Sequence, residues 1–577
     1  MAKLSCYYNS ILETIPNREN RPFLDFIIEK AEESKVLVVE APTGYGKSII
    51  SQTIALYTLK EGLKSIITFP LRSLLEDQFF KFRNILLKLN CDDKNIGVRY
   101  MHHPESRYLL KPITLTTVDT LSLTLFGIAP EDLESALKYY DGTLTRSMGH
   151  YLFSRSMVLL SNVILDEVHL ISDMTKSLSF LIALIWILAK HGRRIVLMSA
   201  TIPRALEDIL REEGEEVSLN FAKFSEKPDE KFIGERKSKK YELRFMGKLG
   251  NDKFEKILKE VEEGRREGFK RSIVVFNTIS EAIKFYEIIK NNSNIPKNKI
   301  LLIHSRFTEK DREMKIRKIE EFKQSDEYLI ITTQVIEAGV DISSNLFISD
   351  MAPASSLIQR LGRFLRYRDE KEGRVCIWYE NYENRERNRY KGIYDLDLFE
   401  RTLNFLENKN IRFHEPESYQ PLLDDVYDEN SFSLNREYIK KFILIPNILE
   451  NPYGAIELFI SCEGSFIRKD ILVPVVPSSL LSEHMTINEL EKYLIPMNLS
   501  TLFRLKPVEE LVVNDSDPQK VSRGRLNEKI WWIKRKHMLR KVFSSKFIAF
   551  VVEGSYNEDT GLVVKYEKDS KLLQEGE

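Results

Sequence analysis

The sequence is poor in cysteine. Its four, Cys6, Cys91, Cys376 and Cys462, lie far apart, and none forms a CxxC pair. Zinc ribbons and iron–sulfur clusters of the usual spacing are thereby excluded. Reduced thiols fit better than a disulfide scaffold. Excess charge of one sign is also missing: lysine plus arginine is 86 and aspartate plus glutamate is 86. No whole-molecule field then draws in a polyanion, and any nucleic-acid site must be a local basic track. Long apolar runs are lacking too. The most apolar one, FLIALIWILA at 180–189, is too short to span a bilayer and reads as a buried helix. No signal peptide opens the sequence, so the expectation is a cytoplasmic protein with no membrane partner. Among nine histidines none is followed by aspartate, and no HExxH occurs. A metal-dependent cutting site therefore has no candidate pair.

A chain of 577 residues exceeds one core, so about three domains are expected. Short β-branched runs alternate with helical stretches: VLVVE (36–40), SIITFP (65–70), ITLTTV (113–118), MVLLSNVILDE (157–167) and RIVLMSA (194–200). That rhythm predicts an α/β domain with a largely parallel sheet. After the charged stretch 224–240 it resumes with SIVVFN, ILLIHS, YLIITTQ, LFISD and RVCIWYE. The reading is two tandem parallel-sheet domains, 1–220 and 221–392, and an additional C-terminal domain, 393–577. The stretch 124–156 reads as an insertion without assignable chemistry.

APTGYGKS (41–48) sits between a strand and a helix, the context a phosphate loop requires. Thr43, Gly44, Tyr45 and Gly46 form the turn whose N–H groups would face a phosphate. Lys47 would reach the outer phosphates, and Ser48 would hold Mg²⁺ by its hydroxyl. Ala41 replaces the usual first glycine. DEVH (166–169) ends an apolar strand in charge. Asp166 is the candidate Mg²⁺ ligand through water, and Glu167 the candidate base on the attacking water. The bland reading is an acidic strand-to-helix turn. His169 would couple this loop to Ser199–Thr201, the SAT after the next strand. ATP and Mg²⁺ are thus the expected cofactors.

QRLGRFLR (359–366) supplies Gln359, Arg360, Arg363 and Arg366. Arg363 and Arg366, three apart, are expected on one helix face. Offered across a cleft, such arginines would meet charge developing on phosphate. TTQVIEAGVDIS (332–343) adds Gly339 and Asp341, candidates for nucleotide sensing. Arg72 and Ser73, Thr116, Thr117 and Asp119, and the HSRF run at 304–307 are candidate grips on a polymer backbone. Trp531, Trp532, Lys534, Arg535 and Lys536 form a basic, aromatic patch, for which a solvated helix face with a core tryptophan is the bland alternative.

On APTGYGKS, DEVH, SAT, TTQVIEAGVDIS and QRLGRFLR the chain resembles superfamily 2 helicases over roughly residues 20–370. FPLRSLLEDQ, ILDEVHLIS, LIHSRF and VIEAGVDISSNLFISDMAPASSLIQRLGRFLR resemble the CRISPR-associated helicase of type I interference systems. The resemblance implies two RecA-like domains, ATP hydrolysis by Lys47, Ser48, Asp166, Glu167, Arg363 and Arg366, and 3′ to 5′ movement on single-stranded DNA. It implies an RNA-guided effector complex as partner. Two departures stand out. Leu24 lies where relatives carry an adenine-reading glutamine. Only about forty residues precede the phosphate loop, so the helicase-only form, served by a separate HD-type nuclease, is expected. A DNA-repair or RNA helicase, or an ATP-gated scaffold, remains the competing reading.

Overall fold

The first four residues of VLVVE are all apolar, so the strand needs cover on both faces. Val36 and Val38 enter one core and Leu37 and Val39 the core on the opposite face. The computed structural model describes residues 3–16, 21–100, 105–144, 150–169, 175–337, 341–380, 389–409, 411–413, 415–444, 453–468, 470–482, 485–507, 509–526 and 535–564. Its first sheet has strands β1 (Val36–Glu40), β2 (Lys64–Phe69), β3 (Ile96–Arg99), β4 (Ile113–Thr117), β5 (Ser161–Leu165), β6 (Ile195–Ser199) and β7 (Leu219–Lys223). Their order in space is β3-β4-β2-β5-β6-β1-β7, and every pairing is parallel.

The second sheet has β8 (Lys240–Leu249), β9 (Arg271–Val275), β10 (Ile300–Ile303), β11 (Tyr328–Thr332), β12 (Leu346–Asp350) and β13 (Glu372–Glu380). The order β10-β11-β9-β12-β13-β8 is again all parallel. The tandem α/β expectation is met. In both sheets the loops after the strands gather at the carboxyl ends, where open sheets bind ligands.

Three strands went unread: β3, β7 and β8. All are edge strands. β8 reads KYELRFMGKL, with charges interleaved, which suits an exposed edge and blurs the apolar signal. The charged stretch 224–240 is more than a separator. It holds the helix Glu230–Lys237, whose Phe232 and Ile233 enter the first domain's core. MVLLSNVILDE also divides: the helix His150–Leu159 takes its start and β5 follows.

The apolar run at 180–189 lies in the buried helix Thr175–Lys190. Among the described residues no helix is long and apolar enough to cross a membrane. Against that helix packs a helical segment of the C-terminal region. Phe442 meets Phe126 at 5.3 Å and Phe180 at 5.9 Å, and Phe466 meets Phe126 at 4.7 Å. A mixed sheet follows, with β14 (Leu472–Pro477), β15 (Ile495–Asn498), β16 (Glu509–Val513), β17 (Val521–Arg525) and β18 (Phe547–Val552). The strand-like run FIAFVVEG supplies β18.

The hairpin β19 (Ser555–Asn557) and β20 (Gly561–Val563) then lands on the second domain. Leu562 N–H donates to Arg306 O at 2.9 Å, and Thr308 N–H donates to the Tyr556 hydroxyl at 3.1 Å. Gly561 has φ +68°, and a Cβ there would stand 2.7 Å from Arg306 O and 2.9 Å from His304 Cε1. Alanine would be both strained and obstructed, at a cost above about 1 kcal/mol. Gly561→Ala should therefore undock the hairpin. Limited proteolysis should cut faster at 553–563 while far-UV circular dichroism stays constant. An unaltered cleavage pattern would show that this contact does not hold the hairpin.

Candidate active site and polymer cleft

The phosphate loop leaves β1 and enters the helix Lys47–Lys60. Gly44 and Gly46 take φ +78° and +108°, left-handed values that a side chain resists. Lys47 Nζ donates to Ala41 O at 3.0 Å, which folds the lysine back under the loop. Thr43 and Ser48 are half-buried beside it. Tyr45 behaves differently from a ligand-reaching residue. Its ring is buried against Phe224 and Phe232. Its hydroxyl donates to Asp229 Oδ2 at 2.9 Å and accepts from Phe23 N–H at 3.2 Å. The side chain anchors the loop, leaving only the backbone for a ligand.

Asp166 and Glu167 follow β5. Burial, and then the neighbouring Glu167, push the Asp166 carboxyl up to about 7. Burial also pushes Glu167 upward, but Lys47, His169, Arg363 and Arg366 outweigh it and hold the carboxyl below its ordinary value. Glu167 has φ +54° and thus strained backbone. Its Oε2, buried 3.5 Å from His169 Nδ1, makes no hydrogen bond. His169 Nδ1 shares a 3.1 Å hydrogen bond with Ser199 Oγ, which donates to Thr201 O at 2.7 Å. The expected link between DEVH and SAT is therefore physical. Burial drives His169 down to about 4, so it is neutral near pH 7.

The second domain closes on this site. Gly362 lies so near that an added Cβ would stand 3.3 Å from Thr43 Oγ1. The helix Ala354–Leu361 ends just before it, and Leu365 takes φ +44°. Arg363 and Arg366 therefore do not share a helix face; a turn delivers both to the electrostatic surroundings of Glu167. Arg363 donates to Ile336 O and Glu337 O, each at 3.2 Å. Burial, reinforced by Arg366, lowers it to about 9. Arg366 pairs with Asp341 at 3.2 Å. Gln359 Nε2 is buried without a hydrogen-bond partner.

Arg360 faces inward instead. It is 0% exposed and binds Glu337 at 2.8 Å, Asn277 Oδ1 at 2.9 Å and Asp350 O at 2.9 Å. Breaking a buried pair of that kind costs about 3–5 kcal/mol, so Arg360 is a structural post. Gly339 lies outside the described residues.

The residues fit a magnesium nucleotide. Two orphaned polar atoms, Glu167 Oε2 and Gln359 Nε2, are buried here, one from each domain. Among the described residues no cluster of three or more His, Cys, Asp or Glu side chains could hold a metal. Ser48 and Asp166 would thus bind Mg²⁺ only together with phosphate oxygens, as this hard cation prefers.

Arg236 escaped sequence reading. A Cβ on Gly44 would lie 3.1 Å from its Nη2, and its Nη1 reaches Leu365 O at 3.5 Å. Its helix starts at Asp229, which caps Phe232 N–H at 3.0 Å and also binds Tyr45. One short helix thus touches the phosphate loop at both ends. No periodic signal marks it in a charged run.

A second cleft, of about 400 Å³, opens between both domains and the C-terminal region. Pro70, Asp119, Ser305, Thr333 and Gln334 line it. Other candidates are spent elsewhere. Arg72 donates to Glu76 at 2.7 Å, pairs with Glu309 of the second domain and covers the Tyr100 ring. Thr116 is buried and donates to Arg99 O at 2.6 Å. Thr117 caps the helix Val118–Leu125. His304 is buried, stacked on Phe307 and bonded to Thr560 O at 3.0 Å. Trp531, Trp532, Lys534, His102 and His103 lie outside the described residues, as do the side chains of Ser73, Arg535 and Lys536.

Known proteins share this arrangement. Residues 25–209 match the DEAD/DEAH box helicase family. Residues 269–369 match the C-terminal family of CRISPR-associated nuclease/helicase Cas3. The CRISPR-associated nuclease/helicase Cas3 of Methanothermobacter thermautotrophicus is 26% identical over 409 residues, 68% of this chain and 46% of that one. That of Streptococcus thermophilus is 24% identical over 463 residues, 70% of this chain and 47% of that one. The chain spans about half the length of these curated relatives. Among solved structures, T. fusca Cas3-ATP superposes with TM-score 0.64 at 15% identity, covering 96% of this chain and 70% of that one. A chain of a CRISPR RNA-guided surveillance complex, pre-nicking, gives TM-score 0.58 at 16% identity, covering 96% and 71%. The chain thus carries a DEAD/DEAH box helicase domain in its first RecA-like sheet and a Cas3-like C-terminal domain in its second.

Proposed function

We propose that the chain is an ATP-driven helicase and translocase on single-stranded DNA, moving 3′ to 5′ in CRISPR interference. The observation that carries the motor reading is Glu167. Its Oε2 is buried without a hydrogen-bond partner, and its carboxyl lies under the charge of Lys47 from one domain and Arg363 and Arg366 from the other. Lys47 leaves Ala41 O to meet the outer phosphates. Ser48 and Asp166 hold Mg²⁺, which when bound neutralises phosphate charge. Glu167 takes a proton from the attacking water, and Gln359 orients that water or a phosphate oxygen. Arg363 and Arg366 meet charge that grows as the bond breaks. Asp341 steers Arg366. Closure of the seam on ATP and its release after hydrolysis then shift the cleft loops past the strand.

The pathway rests on the relatives, several of which are CRISPR-associated nuclease/helicases. The polymer preference separates this reading from an RNA or repair helicase. Stimulation of ATP turnover by single-stranded DNA well above that by RNA supports the first, and equal stimulation supports the second. These 577 residues hold no His-Asp dipeptide, so the cutting is assigned to an HD-type nuclease outside them. An RNA-guided effector complex is assigned the loading.

Glu167→Gln should lower turnover by about 10²–10⁴-fold and leave nucleotide affinity nearly constant, because the acid acts on water. Turnover and equilibrium nucleotide binding check this; normal turnover removes Glu167 from the role. Arg363→Ala should lower turnover about 10³-fold or more, with a smaller change in affinity. Collapse of affinity with normal residual turnover would reverse that assignment. Incubated with single-stranded DNA, ATP and Mg²⁺, the chain should generate no new DNA ends. Reproducible cleavage that disappears with a substitution in this chain would refute the division of labour.

A further inference from the structure

The helix Tyr453–Ser461 leads into a turn at the polymer cleft, and Ile467 and Arg468 form part of the cleft wall. Arg468 Nε donates to Asp119 Oδ2 at 2.7 Å, and its Nη2 donates to Pro70 O at 3.2 Å. Both partners belong to first-domain segments that the sequence assigned to the polymer track: Asp119 opens the helix after β4, and Pro70 follows β2. The turn itself is fixed without the ion pair. Ser465 Oγ accepts from Ile467 N–H at 3.2 Å and Arg468 N–H at 2.9 Å. Lys176 Nζ donates to Cys462 O at 2.5 Å and Arg468 O at 3.2 Å.

Charge in the cleft is sparse. Among the described residues, its wall carries two carboxylates, Asp119 and Glu337, and one cation, Arg468. Glu337 is already paired with buried Arg360. A chain of zero net charge offers a polyanion no general attraction, so a local cation must supply it. The Arg468 and Asp119 side chains are 33% and 30% exposed. A pair so placed is weak. The two contacts use two of the five N–H donors of a guanidinium, and that fork matches phosphate oxygens.

We propose that Arg468 is a phosphate-binding residue of the polymer cleft, held ready over it by Asp119 until a single-stranded nucleic acid takes the guanidinium in exchange. The proposal rests on the motor reading for its physiological meaning, but not for its test. The ligand chemistry is the phosphodiester backbone, whether of DNA or RNA.

The test compares the full chain with Arg468→Ala, Arg468→Lys and Asp119→Asn. Binding of fluorescent poly(dT) and poly(U) strands is measured by anisotropy over a series of salt concentrations, alongside basal and strand-stimulated ATP turnover. Arg468→Ala should weaken binding about tenfold. It should flatten the log K against log salt slope by about 0.7, the share of one single-strand phosphate contact. Arg468→Lys should keep the slope, and Asp119→Asn should leave binding equal or tighter. Slope changes should match on both polymers. Equal weakening by Arg468→Ala and Asp119→Asn at constant slope would make the pair a mere strap and overturn the proposal. So would wild-type binding in Arg468→Ala, or a slope change confined to one polymer. Absence of strand-stimulated turnover in the wild type would instead defeat the motor reading, while the anisotropy still decides Arg468.

Discussion

The molecule is organised around a buried negative charge sustained from two sides. A carboxylate taken out of water loses its hydration and drifts toward the neutral form. Glu167 escapes that drift because Lys47 stands on its own domain and Arg363 and Arg366 on the facing one. Asp166, one residue away, has less compensation and is pushed up to about 7. The facing arginines act on Glu167, so its charge depends on how near the second domain lies. Gly362 allows that nearness, since its missing side chain lets the backbone rest on Thr43. The seam and the electrostatics are therefore one constraint.

A second tier of buried charge keeps the arginine turn in position. Arg360 ties Glu337, Asn277 and the end of β12 together. Arg363 then hangs from the carbonyls of Ile336 and Glu337. Since Glu337 also borders the second cleft, the same short segment touches both that cleft and the seam beside the phosphate loop. Coupling between the two sites requires no longer path than this.

The parallel sheets were legible because strands buried on both faces read as continuous apolar runs. The phosphate loop and DEVH were legible because each follows such a run. Where charges interleave, as in β8, the pattern fades. Arg363 and Arg366 were found by residue type, but their placement was misjudged. Three-residue spacing suggests a helix face, while tertiary contacts end the helix at Leu361 and bend the chain at Leu365. Arg72 shows the converse: its position after β2 suggested a polymer grip, and its partner Glu309 lies 237 residues away, beyond any local pattern. Arg236 and Arg468 were invisible for that same reason. Each owes its place to long-range packing, and neither belongs to a motif.

The hairpin β19–β20 rests on the second domain, whereas Phe442 and Phe466 bind the same C-terminal region to the first. The region is thus a strut with two feet. A change in seam width cannot leave such a strut unaffected: it must bend between its feet, or one foot must slide. The foot on the first domain is an interlocked aromatic cluster, while the second domain is held by the hairpin and also by Thr402 and Tyr427, which bind Ala354 and Ser355 at the start of the helix that leads to the arginine turn. A change at the nucleotide seam therefore loads that helix as well as the hairpin.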